Sequence, residues 1–225
     1  MRMRIEIVLA TILFAGTVSF PLVQLSTGMT DRDRMGSRQA AGVAMAVEEP
    51  SYSYVGSFRC KKCHLSEYKS WEATRMARSF EILKPGQHKE AKDKFKVDAA
   101  KDYTKDETCV KCHTTGFQKP GGYATPAAED EKAVRKAEQL MGVGCESCHG
   151  PGSAYVEVFE EIMKSKRKYK VKELYAVGLM KIEEATCKTC HNQDGPTYDP
   201  TAPFDYQKRK QDGVHTLQPL KQREE

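Results

Sequence analysis

All eight cysteines of this 225-residue chain fall in one pattern, written four times. The strings are Cys60-Lys61-Lys62-Cys63-His64, Cys109-Val110-Lys111-Cys112-His113, Cys145-Glu146-Ser147-Cys148-His149 and Cys187-Lys188-Thr189-Cys190-His191, and no cysteine is left over. In C-x-x-C-H the two thiols add to the two vinyl groups of a haem, and the adjacent His lies under the macrocycle as the proximal iron ligand. The alternative of two Cys₄ zinc sites does not ask for a His after every second Cys. With 6 His in 225 residues, four chance placements have a probability below about one in a million. A disulfide framework or a redox C-x-x-C fails by the same argument. The chain is therefore expected to carry four covalently attached haem c groups, through Cys60, Cys63, Cys109, Cys112, Cys145, Cys148, Cys187 and Cys190, with His64, His113, His149 and His191 on iron.

The motifs begin at 60, 109, 145 and 187, spacings too irregular for a solenoid. Four macrocycles sharing roughly 180 residues lie close together, in one domain. Only 39% of residues are hydrophobic and 30% are charged, too polar a mix to bury a large side-chain core. The haems supply the missing apolar bulk, and the apo-chain should be largely unfolded.

Arg2 and Arg4 precede an apolar run from Ile7 to Phe20 that continues to Leu25. Residues 1–28 read as a secretory signal, with removal favoured, or as a retained membrane anchor. Either exports the rest, so the expected location is the periplasm or the outer face of the cytoplasmic membrane, where bacterial haem attachment occurs. Residues 29–52 form a flexible lead-in, and 53–225 the tetrahaem domain.

The formal charge of +5 invites a nucleic-acid reading, but residues 1–46 hold five Arg against Glu6, Asp31 and Asp33, leaving +3. A haem with two ionised propionates is about −1 ferric and about −2 ferrous, so the holoprotein runs from about −1 to about −5. Nucleic-acid binding loses its support. One basic cluster remains, Lys164, Lys166, Arg167, Lys168, Lys170 and Lys172. It reads either as a steering surface for an acidic redox partner or as a solvated helix end.

Ser66–Leu83 reads as a helix stopped by Pro85-Gly86, with Tyr68, Met76, Phe80 and Leu83 near one face. Asp130–Met141 is a second helix. Ser153 caps a third, with Val156, Phe159, Ile162 and Met163 at helical spacing, and a weaker one spans Val171–Met180. No stretch alternates as a strand. Long Gly/Pro-rich loops at Thr114–Pro126 and Asn192–Pro203 complete a mainly α, small helical multihaem domain cored by its haems.

Sixth ligands separate a carrier from an enzyme. Outside the motifs only His88 and His215 remain, so at most two haems gain a second His from this chain. The other donors beyond the leader are Met76, Met141, Met163 and Met180, each more often a core residue than a ligand. On a continuous helix Met76 lies 12 residues past His64, about 18 Å at about 1.5 Å per residue, too far to share one iron. If it binds iron, it binds another haem and raises that haem's potential.

Cys60–Pro85 with its Ser70-Trp71 pair, Lys101-Asp102-Tyr103-Thr104, Gly121-Gly122-Tyr123 and the run Gly142-Val143-Gly144 to Gly150-Pro151-Gly152 resemble the tetrahaem cytochrome c-554 family, across about residues 56–215. The resemblance implies a periplasmic electron carrier with haems stacked in close pairs, serving hydroxylamine-oxidising enzymes. It implies three six-coordinate His-ligated haems and a five-coordinate one at His113. The sequence departs from that pattern: Met76 stands where the family has a ligand His. The segment Ser153–Phe159 has no His after the third motif, and Tyr155 is its nearest polar candidate. His215 is similar to the C-terminal ligand, while His88 has no counterpart. The expected metal ligands beyond the motifs are thus Met76, His215 and His88.

Two functions are open at this point. One is electron relay between a donor oxidoreductase and an acceptor cytochrome or quinone-linked complex, with no catalytic residue. The other is an oxidoreductase reducing nitric oxide, nitrite, hydroxylamine or peroxide at an open iron, supported by the deficit of ligands. A haem filament in which His88 serves a neighbouring chain is a third, lesser idea.

Overall fold

The structure, a computed structural model, describes residues 51–224. The expected signal or anchor and the lead-in up to residue 50 lie outside the described residues, among which no helix is long and apolar enough to cross a membrane. Short helices joined by long connections run from Ser57 onward: α1 (Ser57–Cys60), α2 (Leu65–Glu72), α3 (Lys89–Lys94), α4 (Glu107–His113), α5 (Glu131–Glu138), α6 (Glu146–His149), α7 (Ser153–Ser165), α8 (Val171–Tyr175), α9 (Glu184–Lys188) and α10 (Tyr206–Asp212). Their starts follow local chemistry. Asp106, Asp130 and Asp205 cap α4, α5 and α10 by accepting the N–H of Thr108, Ala133 and Lys208. The mainly helical expectation holds.

Several boundaries differ from expectation. The helix read over Ser66–Leu83 stops at Glu72, and a turn leads to a 3₁₀ segment at Glu81–Leu83. Beyond that stop Val143 N–H donates to the Met76 carbonyl (2.9 Å) and Trp71 Nε1–H to the Val143 carbonyl (2.9 Å), so a distant segment takes a carbonyl that a continued helix would have used. Gly142 makes that approach possible, because a Cβ there would sit 2.2 Å from the Ala77 carbonyl oxygen, and its φ of 82° suits glycine. Ser153 does not cap α7 but opens it, its hydroxyl accepting instead from Ser53 N–H (3.0 Å). Two strands of two residues were not anticipated: Tyr169–Lys170 pairs in parallel with Arg223–Glu224, tying the C-terminal tail to the end of α7.

Eleven apolar residues are buried among those described. Ten of them divide into one cluster of Phe80, Leu83, Val110, Tyr123, Ala137 and Leu140 and another of Phe159, Ile162, Tyr169 and Leu174. Neither is large enough to hold four motif segments together. Polar contacts do much of the joining. Buried Thr115 donates to the Gly142 carbonyl (2.9 Å) and accepts from Gly144 N–H (2.8 Å), binding the loop after the second motif to the one before the third. Glu146, 3% exposed, accepts from the N–H groups of Val55 (2.9 Å), Gly56 (2.7 Å) and Gly152 (2.7 Å). It fastens the start of the domain to the third motif.

Burial outweighs those three hydrogen bonds and raises the Glu146 carboxyl above the usual range. Removing the side chain in Glu146→Ala strands three donors and should lower the unfolding free energy of the holoprotein by about 3 kcal/mol, read as a fall in Tm. The raised value also sets a pH dependence. The folded state keeps the proton to higher pH than the unfolded chain, so this group's contribution is full below the unfolded carboxyl value and is lost as pH rises through the folded one. Tm measured across that window should therefore slope downward with pH more in the parent than in Glu146→Gln.

Candidate haem sites

Each motif folds as a single helical turn. His N–H donates to the carbonyl of the first Cys at 2.9 Å for His64→Cys60, 3.0 Å for His149→Cys145 and 3.0 Å for His191→Cys187, while the second motif lies within α4. In such a turn residues three and four apart share a face, so the two thiols and the imidazole present together. All eight cysteines are free thiols and half-buried.

The motifs meet in pairs. Cys60 lies beside Cys145, and Cys112 beside Cys190, near enough for each thiol to perturb its partner. The neighbouring thiol pushes Cys60 and Cys112 up and holds their partners, Cys145 and Cys190, low. First joins third, and second joins fourth. Among the described residues no three His, Cys, Asp or Glu side chains gather as one metal cluster, so the thiols meet in twos rather than in the fours of a zinc site.

Burial is the main cause that holds the His64, His113, His149 and His191 imidazoles below their usual pKa. Neutral imidazole is the form that binds a metal. Second contacts then orient the rings. His113 Nδ1–H donates to the Ser79 carbonyl (2.7 Å), which leaves Nε2 with the lone pair. The His191 ring stacks on Phe204 with centroids 4.3 Å apart and planes 11° apart. His64 stacks on Phe159 (5.1 Å), and its Nε2 hydrogen-bonds the Tyr155 hydroxyl at 3.0 Å.

His215 faces His149, ring centroids 6.3 Å apart. Two imidazoles on one metal, with bonds of about 2.0 Å each, put their centres about 6 Å apart. The tail is held there by α2: Thr216 N–H donates to Ser70 Oγ (3.0 Å) and Gln218 N–H to Glu67 Oε1 (3.1 Å). His215 Nδ1–H donates to the Thr216 carbonyl (2.8 Å), again freeing Nε2. Two thiols, a neutral imidazole and, at the third motif, an opposed second imidazole are a donor set that fits covalent haem.

The other expected ligands are less gathered. Met76 is half-buried in the turn whose Ser79 carbonyl holds His113, and the broken helix removes the length argument that tied it to a foreign haem. His88 is exposed at a left-handed position before α3. Met141 packs against the first apolar cluster, Met163 is exposed on α7, and Met180 N–H donates to the His149 carbonyl (2.8 Å). In the basic cluster Arg167 pairs with Glu161 (2.9 Å) and Glu173 (3.0 Å), so part of its charge is answered locally. Glu146, Thr115, Ser79 and Phe204 carry weight that no spacing announced. Only the position of Glu146 inside a motif set it apart.

The family described as "Cytochrome c554 and c-prime" matches residues 59–150. A curated relative, cytochrome c-554 of Nitrosomonas europaea, is 39% identical over 173 residues, covering 73% of this chain and 68% of that protein. The solved reduced state of cytochrome c554 from the same organism aligns with a TM-score of 0.56 at 35% identity, over 72% of this chain and 78% of that one.

Proposed function

The chain belongs to the cytochrome c-554 family, multihaem c-type cytochromes that carry electrons on covalently bound haem, and from that premise we propose that it relays electrons through four haems set in two close pairs. The observation that carries the proposal is the nearness of Cys60 to Cys145 and of Cys112 to Cys190. Neighbouring thiols would hold their two haems close together, which would give an electron entering one member of a pair a short path to the other. The haems supply the redox chemistry, and the protein sets spacing, ligation and solvent access.

The roles of the residues follow. The eight cysteines attach four haems, and His64, His113, His149 and His191 are the proximal ligands. His215 is the second ligand of the His149 haem. Met76 is the thioether donor of the fourth-motif haem: its turn is bonded to His113, whose neighbour Cys112 lies beside Cys190. His113 keeps no second protein ligand, and His88, exposed, serves no iron of this chain. The apolar run behind Arg2 and Arg4 directs the domain to the periplasm, or holds it on the outer face of the membrane. Donor and acceptor are redox proteins, met through exposed haem edges.

Parallel-mode and conventional electron paramagnetic resonance of the oxidised holoprotein tests the pairing. Exchange-coupled signals from two iron pairs are expected, and four isolated, non-interacting irons would contradict it. His215→Ala should turn one low-spin iron high-spin, with the low-spin form restored by added imidazole. Met76→Ala should also convert one low-spin iron and lower its affinity for electrons in a redox titration, because a thioether ligand raises the potential. Met76→His should keep the spin state and still lower the potential.

A further inference from the structure

The basic cluster that follows α7 gains two members in the folded chain. Tyr169–Lys170 pairs in parallel with Arg223–Glu224, and Lys168 Nζ–H donates to the Lys221 carbonyl (3.3 Å), so Lys221 and Arg223 of the tail lie beside Lys168 and Lys170. Successive side chains of a strand point to opposite sides. Tyr169, 2% exposed, turns inward, while Lys168 and Lys170 are exposed. Arg167 is answered by Glu161 and Glu173, but the five lysines of the cluster enter no ion pair among the described residues. With the two tail residues, eight cations stand against Glu161, Glu173 and Glu224, a local excess of about five positive charges. The holoprotein as a whole has the opposite sign, about −1 oxidised and about −5 reduced once four haems bring their propionates. The remaining surface is therefore negative, and the cluster is a positive pole on it. The pole also lies over the first motif. Tyr169 belongs to the apolar cluster with Phe159, Ile162 and Leu174, against which Cys63 packs, so one small apolar cluster separates the cations from that attachment site.

We propose that this face is the docking surface for an acidic redox protein, which it orients toward the first motif. The proposal rests on the four-haem reading above, which supplies both the negative remainder and the centre that exchanges electrons. A positive pole on a negative molecule orients an encounter, because an acidic face is drawn to the pole and repelled from the other sides. Another protein offers an acidic face of the cluster's own extent. An anionic membrane is broad enough to meet the negative remainder as well, and nucleic acid is repelled by it in the same way. The attraction reaches about one Debye length, roughly 10 Å at 0.1 M salt, and fades as salt is added.

Stopped-flow reduction of the oxidised holoprotein by reduced flavodoxin, an acidic protein with a single flavin, provides the test. The haem content of each protein is fixed first by the pyridine haemochromogen assay. The second-order rate constant of the parent should fall as salt rises from about 0.01 M to about 0.5 M, although both proteins carry net negative charge. Lys164→Glu/Lys166→Glu/Lys172→Glu should lower the low-salt rate constant about tenfold or more and leave the high-salt one unchanged. Glutamine at the same three positions should fall between, and decides the matter where the glutamate variant fails to mature. Lys119→Glu/Lys132→Glu/Lys136→Glu has the same net charge but leaves the cluster intact, and should keep a low-salt rate constant near that of the parent. A parent rate constant that rises with salt, or equal rate constants for the two glutamate variants, would overturn the docking surface. Equal rate constants together with loss of binding to phosphatidylglycerol vesicles in the cluster variant alone would assign the cluster to a membrane instead. Fewer than four haems in the parent protein would defeat the haem reading on which the proposal rests.

Discussion

A five-residue turn, closed by the His N–H on the first Cys carbonyl, is the unit on which the rest of this molecule depends. It puts two thiols and one imidazole on a common face without help from tertiary structure. Because it is local, it can be written four times at irregular spacing and still present the same chemistry. What remains for the fold is to bring the turns together in pairs and to decide what stands opposite each imidazole.

Both tasks are done by a frugal set of contacts. The buried carboxylate of Glu146 and the buried hydroxyl of Thr115 join the third motif to the chain before the first and after the second. These groups satisfy backbone donors and acceptors that a loop-rich protein otherwise leaves unpaired. The tail from His215 to Glu224 then crosses back over α2 and pairs with Tyr169–Lys170 beyond α7, which delivers His215 to His149. His215, near the end of the chain, is thus positioned opposite His149 by hydrogen bonds to residues nearly 150 positions earlier.

The class of cofactor, covalent haem c, was legible in the sequence, because C-x-x-C-H is local and each string carries its own meaning. The helical class and the starts of α5 and α7, to within one residue, were also readable, from an Asp cap and from apolar residues at helical spacing. Which motif neighbours which was not, since that is a long-range result. The length of the first helix was misread because propensity says nothing of Val143 and Gly142 arriving at its carbonyls. Tyr155 was visible only as the nearest polar residue where an imidazole was expected. Its relation to His64 needed the stack through Phe159. Glu146, charged and inside a motif, gave no sign that it would be buried.

The two small apolar clusters set the central claim: the macrocycles, not side chains, are the core of this protein. The most direct measurement is far-ultraviolet circular dichroism with thermal melting of a chain produced without haem attachment, all eight cysteines replaced by serine, beside the holoprotein. The account predicts little helical signal and no cooperative transition in the haem-free chain. Native-like ellipticity lost in a single cooperative transition would contradict it.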